Sequence, residues 1–297
     1  MPKTIEENYS APPQKCAALQ SVHRVNNYVK AKLIQDHLVP SGQVLDMPCG
    51  KGGDLHKYRQ NKPSFYLGLD LVQANVDEAK RRHENTRCMF GAHFMQADFT
   101  KPLDLTSHYD LVSCQFALHY AWDAESRARQ VLANVAARLK PDGVFVATFP
   151  DYTEILDRLV AMTQNQDKHN YAAKNGSTYT YRIGGQHYYL EFTSHLSFTA
   201  FFASLREQPY GHRYTYYQAG AVDRVEEYLV PPRELARIAG LEGLKITSSE
   251  GFRAIVERPD QRLLKQMRCS TDLSEEGRGL VGLYRAMVLR AAKRRRE

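Results

Sequence analysis

The sequence predicts an α/β fold: a doubly wound, mostly parallel, seven-stranded sheet with an inserted segment that covers the substrate. Short apolar runs alternate with helical patterns through residues 44–148, and this alternation is typical of βα units around a parallel sheet. A glycine-rich turn, Gly50 to Gly53, follows the first apolar run. Because ligands of such sheets bind at the carboxyl ends of the strands, we expect the ligand site beside this turn.

Five successive strands account for the first half of the chain. They are predicted at residues 44–47, 65–70, 92–97, 109–114 and 144–148. Helices are predicted at residues 54–59, 72–84 and 125–139, the last from apolar residues at helical spacing. This part of the chain, residues 41–150, is interpreted as a Rossmann-like cofactor-binding core that follows an N-terminal helical segment, residues 1–40.

After Pro150 the pattern changes to a helix at residues 152–162 and a polar, tyrosine-rich stretch. Strand-like pieces lie at residues 187–192, 213–218 and 225–230. We interpret residues 151–231 as an insertion that packs over the ligand edge of the sheet. A helix at residues 232–239 and strands at residues 244–248 and 282–289 then complete the sheet, so residues 232–297 return to the core and end in a basic tail.

The chain of 297 residues carries a formal net charge of +7 and has a pI near 9.1, which favours polyanions such as RNA as partners. Its composition, 43% hydrophobic and 25% charged, is that of a globular protein and excludes a disordered or fibrous one. The five cysteines form no CxxC pair and no Cys/His cluster at metal-ligand spacing. The sequence therefore predicts free thiols and no bound metal.

The chain termini bear on localisation. The first eleven residues lack the apolar core of a signal peptide, and no later run is long enough to span a membrane. We therefore expect a soluble intracellular protein without a membrane partner. The basic run Lys293 to Arg296 has three interpretations that the sequence leaves open: a nuclear localisation signal, a phosphate-binding tail or a solvated charged end.

Acidic residues at three successive strand ends, Asp46, Asp70 and Asp98, predict the class of cofactor. Gly50 lets the backbone approach a ligand closely, Asp70 can accept hydrogen bonds from ribose hydroxyls, and Asp98 lies within reach of an adenine amino group. Carboxylates at these positions would repel a pyrophosphate and attract a sulfonium cation. They therefore favour a nucleoside that carries a sulfonium group. NAD would also require a GxGxxG turn, which the sequence PCGKGG does not supply. The alternative for any one acid is that it caps a helix or turn.

Five stretches in chain order resemble the eukaryotic and viral messenger RNA cap guanine-N7 methyltransferases. They are Arg24 to Ile34, Val44 to Leu55, Ser113 to Ala121, Val225 to Val230, and Gly282 to Tyr284. The third stretch, SCQFALHYA, resembles the motif most specific to that family, which forms part of its guanine pocket. The resemblance implies the class I S-adenosylmethionine methyltransferase fold and transfer of a methyl group to N7 of the cap guanine.

The resemblance also implies the roles of individual residues. The residues that it places around S-adenosylmethionine are Asn26, Lys30, Asp46, Gly50, Asp70, Asp98 and Gln115. Those that it places around the cap guanine or its triphosphate are Lys51, Arg82, His119, Tyr120, Pro150, Glu227 and Tyr284. The sequence departs from the family at Pro48, where the glycine loop normally begins with glycine, and more mildly at Tyr28 and Ala117. Pro48 removes a backbone N–H that could bind the cofactor.

Guanine N7 has a free lone pair at neutral pH, so the predicted reaction needs no general base. Its residues should position the reactants, and Glu227 should stabilise the positive charge that develops on the guanine. The resemblance alone favours Glu227 over its neighbour Glu226 for this role. Each of His119, Tyr120, Lys51 and Tyr284, taken singly, has the alternative of an ordinary core or surface role.

Two other functions remain open from the sequence: a methyltransferase of another nucleobase or of a small molecule, and a non-catalytic cap-binding subunit. For the cap enzyme we expect a monomer in the nucleus that acts on capped mRNA. A viral or recapping enzyme would be cytoplasmic instead. The capping enzyme and the RNA polymerase II machinery are the candidate recruiting partners.

Overall fold

Seven strands form the central sheet of the computed structural model, which describes residues 4, 7, 16–86 and 90–292. These strands are β1 (Gln43–Asp46), β2 (Phe65–Asp70), β3 (Ala92–Gln96), β4 (Tyr109–Gln115), β5 (Leu139–Pro150), β11 (Leu244–Gly251) and β12 (Tyr284–Ala291). Their order across the sheet is β11-β12-β5-β4-β1-β2-β3. The first five strands pair in parallel, and β12 pairs antiparallel with β5 and with β11. The predicted doubly wound, mostly parallel sheet is confirmed.

Helices cover both faces of this sheet. They are α1 (Gln20–His37), α2 (Leu55–Tyr58), α3 (Gln73–Asn85), α4 (Glu125–Arg138), α5 (Tyr152–Gln164), α6 (Phe198–Glu207), α7 (Pro232–Leu241), α8 (Phe252–Glu257), α9 (Gln261–Met267) and α10 (Glu275–Gly282). Alternate strand residues enter two hydrophobic clusters: Val44 and Leu111 pack on one face, Leu45 and Val112 on the other. This alternation follows from the two-residue period of a strand and places the core on both sides of the sheet.

A second, five-stranded antiparallel sheet forms most of the insertion. Its strands are β6 (Tyr171–Asn175), β7 (Thr178–Gly184), β8 (Tyr188–Ser194), β9 (Arg213–Gln218) and β10 (Val222–Tyr228), in the order β10-β9-β8-β7-β6. Its inner face is buried through alternate residues such as Tyr181, Leu190, Phe192 and Tyr214. These residues belong to the same hydrophobic cluster as Val22 of α1, so the insertion packs on the core.

Sequence patterns located the central strands to within a few residues but missed other elements. The β6–β7 hairpin and the helices α6, α8, α9 and α10 were not predicted. Residue Gly282 ends helix α10 and does not begin the last strand, which starts at Tyr284. Ser274 caps the start of this helix by accepting a hydrogen bond from the Gly277 N–H at 3.1 Å, and Glu275 and Glu276 lie in its first turn. At its other end the Leu283 N–H still bonds to the Leu280 carbonyl, so the helical turn includes Gly282.

Some expectations fall outside what the structure tests. Cys88 and the basic run from Lys293 to Arg296 lie outside the described residues, and the division of the chain into four segments stays a prediction. Among the described residues, Cys16, Cys49, Cys114 and Cys269 are free thiols. No helix in the described part of the chain has the length and apolar character needed to cross a membrane.

Candidate active site

A cavity of about 840 Å³ lies at the carboxyl ends of the central strands. Its walls come from α1, from the turn after β1, from the ends of β2 and β4, and from the turn between β9 and β10. The predicted site residues that line it are Lys30, Gly50, Lys51, Asp70, Arg82, Asp98, Gln115 and Tyr120. The fold therefore brings together residues from both predicted sets, and the insertion closes the space above them.

The glycine turn faces this cavity with open space beside its backbone. Gly50 has φ +53°, and a Cβ built there would meet no atom within 4 Å. Its N–H donates to Asp70 Oδ2 at 2.9 Å, and the Cys49 N–H donates to the Leu69 carbonyl at 2.7 Å. Pro48, which has no N–H, also lines the cavity. The hydrogen bonds of Cys49 and Gly50 to β2 hold the turn in its place. The turn is thus a preformed cradle for part of a ligand.

Asp70 and Asp98 lie on the same wall of the cavity. Asp70 Oδ1 accepts hydrogen bonds from the Val72 N–H and from Asn75 Nδ2, both at 3.0 Å. Asp98 Oδ1 accepts from the Thr100 N–H at 2.9 Å and from its hydroxyl at 2.7 Å. The carboxylates are thereby oriented, and each still has acceptor capacity for ligand hydroxyl or amino groups because a carboxylate offers about four lone-pair positions.

Lys30, which the sequence assigned to the cofactor, belongs to a buried ionic cluster with Asp54 and Lys57. Lys30 Nζ lies 2.7 Å and Lys57 Nζ 2.6 Å from Asp54 Oδ1. Burial alone would raise the pKa of Asp54, but the two ammonium groups outweigh burial and hold that pKa well below its usual range. Burial lowers the pKa of Lys57, against the opposing effect of Asp54. Since an ammonium has three donors, Lys30 retains donors for a ligand carboxylate.

Asp46, at the end of β1, is almost fully buried behind the cavity wall and does not line it. Its Oδ2 accepts from the Tyr66 hydroxyl at 2.8 Å, while Oδ1 makes no hydrogen bond among the described residues. Burial, with a further contribution from the charge of Asp54, raises the pKa of Asp46 to about 7. An orphaned carboxylate oxygen at this position fits the ammonium end of an amino acid ligand.

Asp46→Asn is expected to stabilise the ligand-free protein, and by more at pH 8 than at pH 5. The carboxyl has a pKa of 3.8 when unfolded and about 7 when folded. At a pH between these two pKa values, Asp46 is ionised in the unfolded state and protonated in the folded state. The free energy of unfolding of the parent protein therefore falls as the pH rises. At 1.36 kcal/mol per unit, the gain should grow by roughly 2–3 kcal/mol between the two pH values.

Urea unfolding of both proteins at pH 5 and pH 8 measures this difference, with the exposed Asp77→Asn as the control. An equal gain at both pH values would contradict the raised pKa of Asp46.

Strand β4 ends with Gln115 at the cavity floor, and Phe116 follows directly. Gln115 is held at both ends of its amide: Nε2 donates to Ser113 Oγ at 3.1 Å, and Oε1 accepts from Thr148 Oγ1 at 3.0 Å. Phe116 has φ +55°, a left-handed conformation that is costly for a residue with a Cβ. It turns the Phe116 ring toward the cavity, where Lys30 Nζ lies 5.8 Å from the ring centroid.

A second group of predicted residues surrounds Glu227, directly behind Tyr120. Glu227 is 4% exposed, and its Oε2 accepts from the Tyr214 hydroxyl at 2.9 Å. Among the described residues, its Oε1 has two long contacts, 3.4 Å from the Tyr120 hydroxyl and 3.4 Å from His119 Nε2. Burial and the neighbouring Glu227 raise the pKa of Tyr214 well above its usual value, so Tyr214 stays a neutral donor. Oε1 is the under-satisfied oxygen of this carboxylate.

Tyr284 joins the Glu227 region to the cavity. Its hydroxyl lies 2.7 Å from the Tyr216 hydroxyl, and its ring packs edge-on against Phe116 with centroids 4.8 Å apart. Pro150 lies opposite Tyr284 in the β5–β12 ladder.

The predicted residues that do not line the cavity are Asn26, Asp46, His119, Pro150, Glu227 and Tyr284. Of the last four, His119 and Glu227 contact Tyr120, Tyr284 contacts Phe116, and Pro150 lies opposite Tyr284 in the strand ladder. Asn26 is half-buried on α1, and its Oδ1 is buried without a hydrogen-bond partner among the described residues.

Sequence reasoning missed Asp54, Phe116 and Arg127. Asp54 and Phe116 stand within the motifs that carried the resemblance, so position in those motifs was the available signal. Arg127 lines the cavity and donates to Asp123 Oδ2 at 2.7 Å and to Thr100 Oγ1 at 3.3 Å, but no sequence pattern marks it. No cluster of three or more His, Cys, Asp or Glu that could hold a metal occurs among residues 16–86 and 90–292.

The sheet order and the glycine cradle beside three strand-end acids define a class I S-adenosylmethionine-dependent methyltransferase. Solved structures with this fold include an S-adenosylmethionine-dependent methyltransferase from Clostridium acetobutylicum, with a TM-score of 0.52, 13% identity, and coverage of 91% of this chain and 92% of that one. A second, from Listeria monocytogenes, has a TM-score of 0.55 and 16% identity and covers 90% of this chain and 99% of its own. At these identities the likeness shows the fold alone.

The chain belongs to the mRNA (guanine-N7)-methyltransferase family, whose model matches residues 13–285. It is 30% identical to mRNA cap guanine-N(7) methyltransferase 1 of Oryza sativa subsp. japonica over 97% of this chain and 78% of the relative. It is 34% identical to the mRNA cap guanine-N(7) methyltransferase of Saccharomyces cerevisiae over 76% of this chain and 51% of that protein. The chain thus spans only about half the length of the yeast relative. The family resemblance drawn from five sequence stretches is confirmed.

Proposed function

We propose that this protein transfers the methyl group of S-adenosylmethionine to N7 of the guanine in the 5′ cap of mRNA. The observation that carries this proposal is Glu227, a buried carboxylate with one under-satisfied oxygen beside Tyr120 of the cavity wall. Guanine presents two adjacent N–H donors, N1 and the exocyclic amine, that such an oxygen can accept. Adenine has no hydrogen at N1, so the same carboxylate also selects the base.

Five of the residues assigned to the cofactor line the cavity: Lys30, Gly50, Asp70, Asp98 and Gln115. Asp70 accepts from the ribose hydroxyls, and Asp98 from the adenine amine. Lys30 donates to the carboxylate of the methionine portion, and Asp46 and Asn26, each with a buried oxygen that has no hydrogen-bond partner among the described residues, are assigned to the amino acid end. Gln115, held by Ser113 and Thr148, forms the floor.

The remaining predicted residues are assigned to the cap. Lys51 and Arg82 also line the cavity and offer positive charge to the triphosphate. His119, Tyr120 and Tyr284 surround the guanine with aromatic surface, and Pro150 borders it. Because Glu227 is buried, guanine can bind Oε1 only if the Tyr120 hydroxyl shares this oxygen or moves away from it. The Tyr120–Glu227 hydrogen bond is long, 3.4 Å, so weakening it costs little free energy.

The reaction needs positioning more than proton transfer. Bound S-adenosylmethionine supplies an electrophilic methyl group on a sulfonium centre. The side chains around Glu227 hold N7 in line with that centre, and good alignment is worth roughly 7–11 kcal/mol of the barrier. Glu227 acts more strongly as positive charge develops on the guanine, which is a transition-state effect. No general base is assigned.

The family supports wider proposals about cellular context. We place the protein in the nucleus, as a monomer that binds capped RNA and is recruited by the capping enzyme or the RNA polymerase II machinery. Its net charge of +7 supports RNA as the polyanionic partner.

Incubation with labelled S-adenosylmethionine and GpppA-capped RNA is expected to yield 7-methylguanosine after digestion of the product. ApppA-capped RNA should accept no label, because Glu227 would face a base without an N1 hydrogen. Digestion and chromatography identify the methylated nucleoside.

Cofactor binding in calorimetry without transfer to any cap would favour a different nucleobase or a small-molecule substrate. Failure to bind the cofactor would favour a non-catalytic cap-binding subunit.

A further inference from the structure

The outer face of the five-stranded sheet carries a row of half-buried aromatic and basic side chains. It consists of Tyr217 on β9, Tyr189 on β8, Arg182 on β7 and Tyr171 on β6, and is called here the tyrosine–arginine stripe. Alternate neighbours such as Tyr216, Leu190 and Tyr181 are buried on the inner face. The stripe therefore faces away from the core that the insertion shares with the central sheet.

Direct contacts link the four side chains. The rings of Tyr189 and Tyr217 are stacked, with centroids 5.1 Å apart and an interplanar angle of 22°. Arg182 Cζ lies 4.0 Å from the centroid of Tyr189 and 5.4 Å from that of Tyr171. Arg182 also donates to Glu191 through Nε at 2.7 Å, which fixes its guanidinium over the Tyr189 ring. Tyr189 is thus packed between Tyr217 and Arg182, and the stripe is a preorganised cross-strand row of aromatic rings.

The stripe is continuous with the cavity. Tyr217 belongs both to the stack and to the cavity wall, as do the neighbouring turn residues 218 and 220–223. From Tyr217 to Tyr171 the stripe crosses three strand spacings, roughly 14 Å at about 4.8 Å each. A chain leaving the cavity past Tyr217 would run directly onto this face.

The charge around the stripe favours a polyanion with stackable groups. Arg224, exposed on the edge strand β10, borders the face. The acids nearby, Glu191 and Asp223, are paired with Arg182 and Arg224 respectively. Proteins that bind single-stranded nucleic acid without sequence preference commonly stack its bases on aromatic side chains with arginine nearby.

We propose that the tyrosine–arginine stripe binds the first nucleotides of the transcript, as single-stranded RNA, by stacking their bases while the cap occupies the cavity. The proposal deepens the proposed function and rests on it, because it assigns the stripe to the RNA that continues from a cap in the cavity. It assigns a role to an insertion in which sequence analysis placed no site residue between residues 164 and 213.

Tyr189→Ala tests the stripe, because Tyr189 does not line the cavity and contacts both Tyr217 and Arg182. The KM for a capped RNA of about ten nucleotides should rise roughly tenfold, the equivalent of one base–aromatic stack, because Tyr189 holds Tyr217 and Arg182 in the row. The kinetic constants for the dinucleotide GpppA should stay unchanged, and Tyr189→Phe should retain the parent KM because it keeps the π-face.

Tyr179→Ala is the matched control, since Tyr179 is a half-buried tyrosine on the opposite face of the same sheet. An equal rise in KM for the dinucleotide and the long RNA, or no rise for either, would overturn the proposal.

Direct binding separates the stripe from the methyl transfer. Fluorescence anisotropy with an uncapped ten-nucleotide RNA should show binding that Tyr189→Ala weakens roughly tenfold. If this binding is found while no cap is methylated, the proposed function fails and the stripe remains an RNA-binding surface. If the caps are methylated while Tyr189→Ala leaves RNA affinity unchanged, the stripe proposal alone is refuted.

Discussion

Glu227→Gln is expected to lower kcat/KM for capped RNA by about 10²- to 10³-fold and to leave the affinity for S-adenosylmethionine unchanged. The substitution keeps the volume of the side chain and an acceptor for the Tyr214 hydroxyl, which donates at 2.9 Å. It removes the negative charge that meets the guanine as the base becomes positive. Loss of one preorganised electrostatic contact of this kind costs about 2.7–4 kcal/mol in the transition state.

The adjacent residue provides the matched control for this prediction. Glu226 points to the other face of β10, where its carboxylate is 39% exposed and lies 3.4 Å from Arg213 Nη1. Glu226→Gln should therefore leave kcat/KM within twofold of the parent, because an exposed pair contributes about 0–1 kcal/mol. Measurement combines initial rates on GpppA-capped RNA with calorimetry of the cofactor. Similar losses of kcat/KM in both variants would contradict the assignment of Glu227 to the guanine site.

Asp54→Asn is expected to destabilise the protein by about 3–5 kcal/mol, the usual cost of leaving a buried charge without its partner. The change leaves the ammonium groups of Lys30 and Lys57 together with no carboxylate between them, and Lys57 is 3% exposed. At about 2–4 °C per kcal/mol, the melting temperature should fall by roughly 10 °C. Differential scanning calorimetry of the ligand-free protein measures this shift.

The effect of Asp54→Asn should weaken as the pH rises from 7 towards ~10, where lysine side chains ordinarily lose their charge. Burial lowers the pKa of Lys57, so Lys57 should release its proton first and relieve the repulsion. Asp36→Asn is the control: Asp36 pairs with Lys32 at 2.8 Å on the exposed side of α1, and its loss should cost under about 0.5 kcal/mol. Equal shifts in the two variants would contradict a buried cluster.

Sequence motifs predicted more residues of the cofactor site than of the guanine site without help from the family resemblance. Gly50, Asp70, Asp98 and Gln115 line the cavity because each lies at or just after the end of a parallel strand, and the ends of parallel strands meet at one edge of a sheet. The guanine residues come from elements far apart in sequence, such as Glu227 on β10 and Tyr284 on β12. The sequence located them only through the family resemblance.

The sequence by itself determined the doubly wound sheet, the place of its ligand edge and the family, because strand periodicity and short motifs are local properties of the chain. The tertiary structure decided which of two adjacent glutamates is buried: Glu227 faces Tyr214 and Tyr120, while Glu226 faces solvent. It also brought Asp54 between two lysines and aligned four side chains from four strands into the stripe. Burial, ion pairing and cross-strand stacking depend on residues distant in sequence, so no local pattern encodes them.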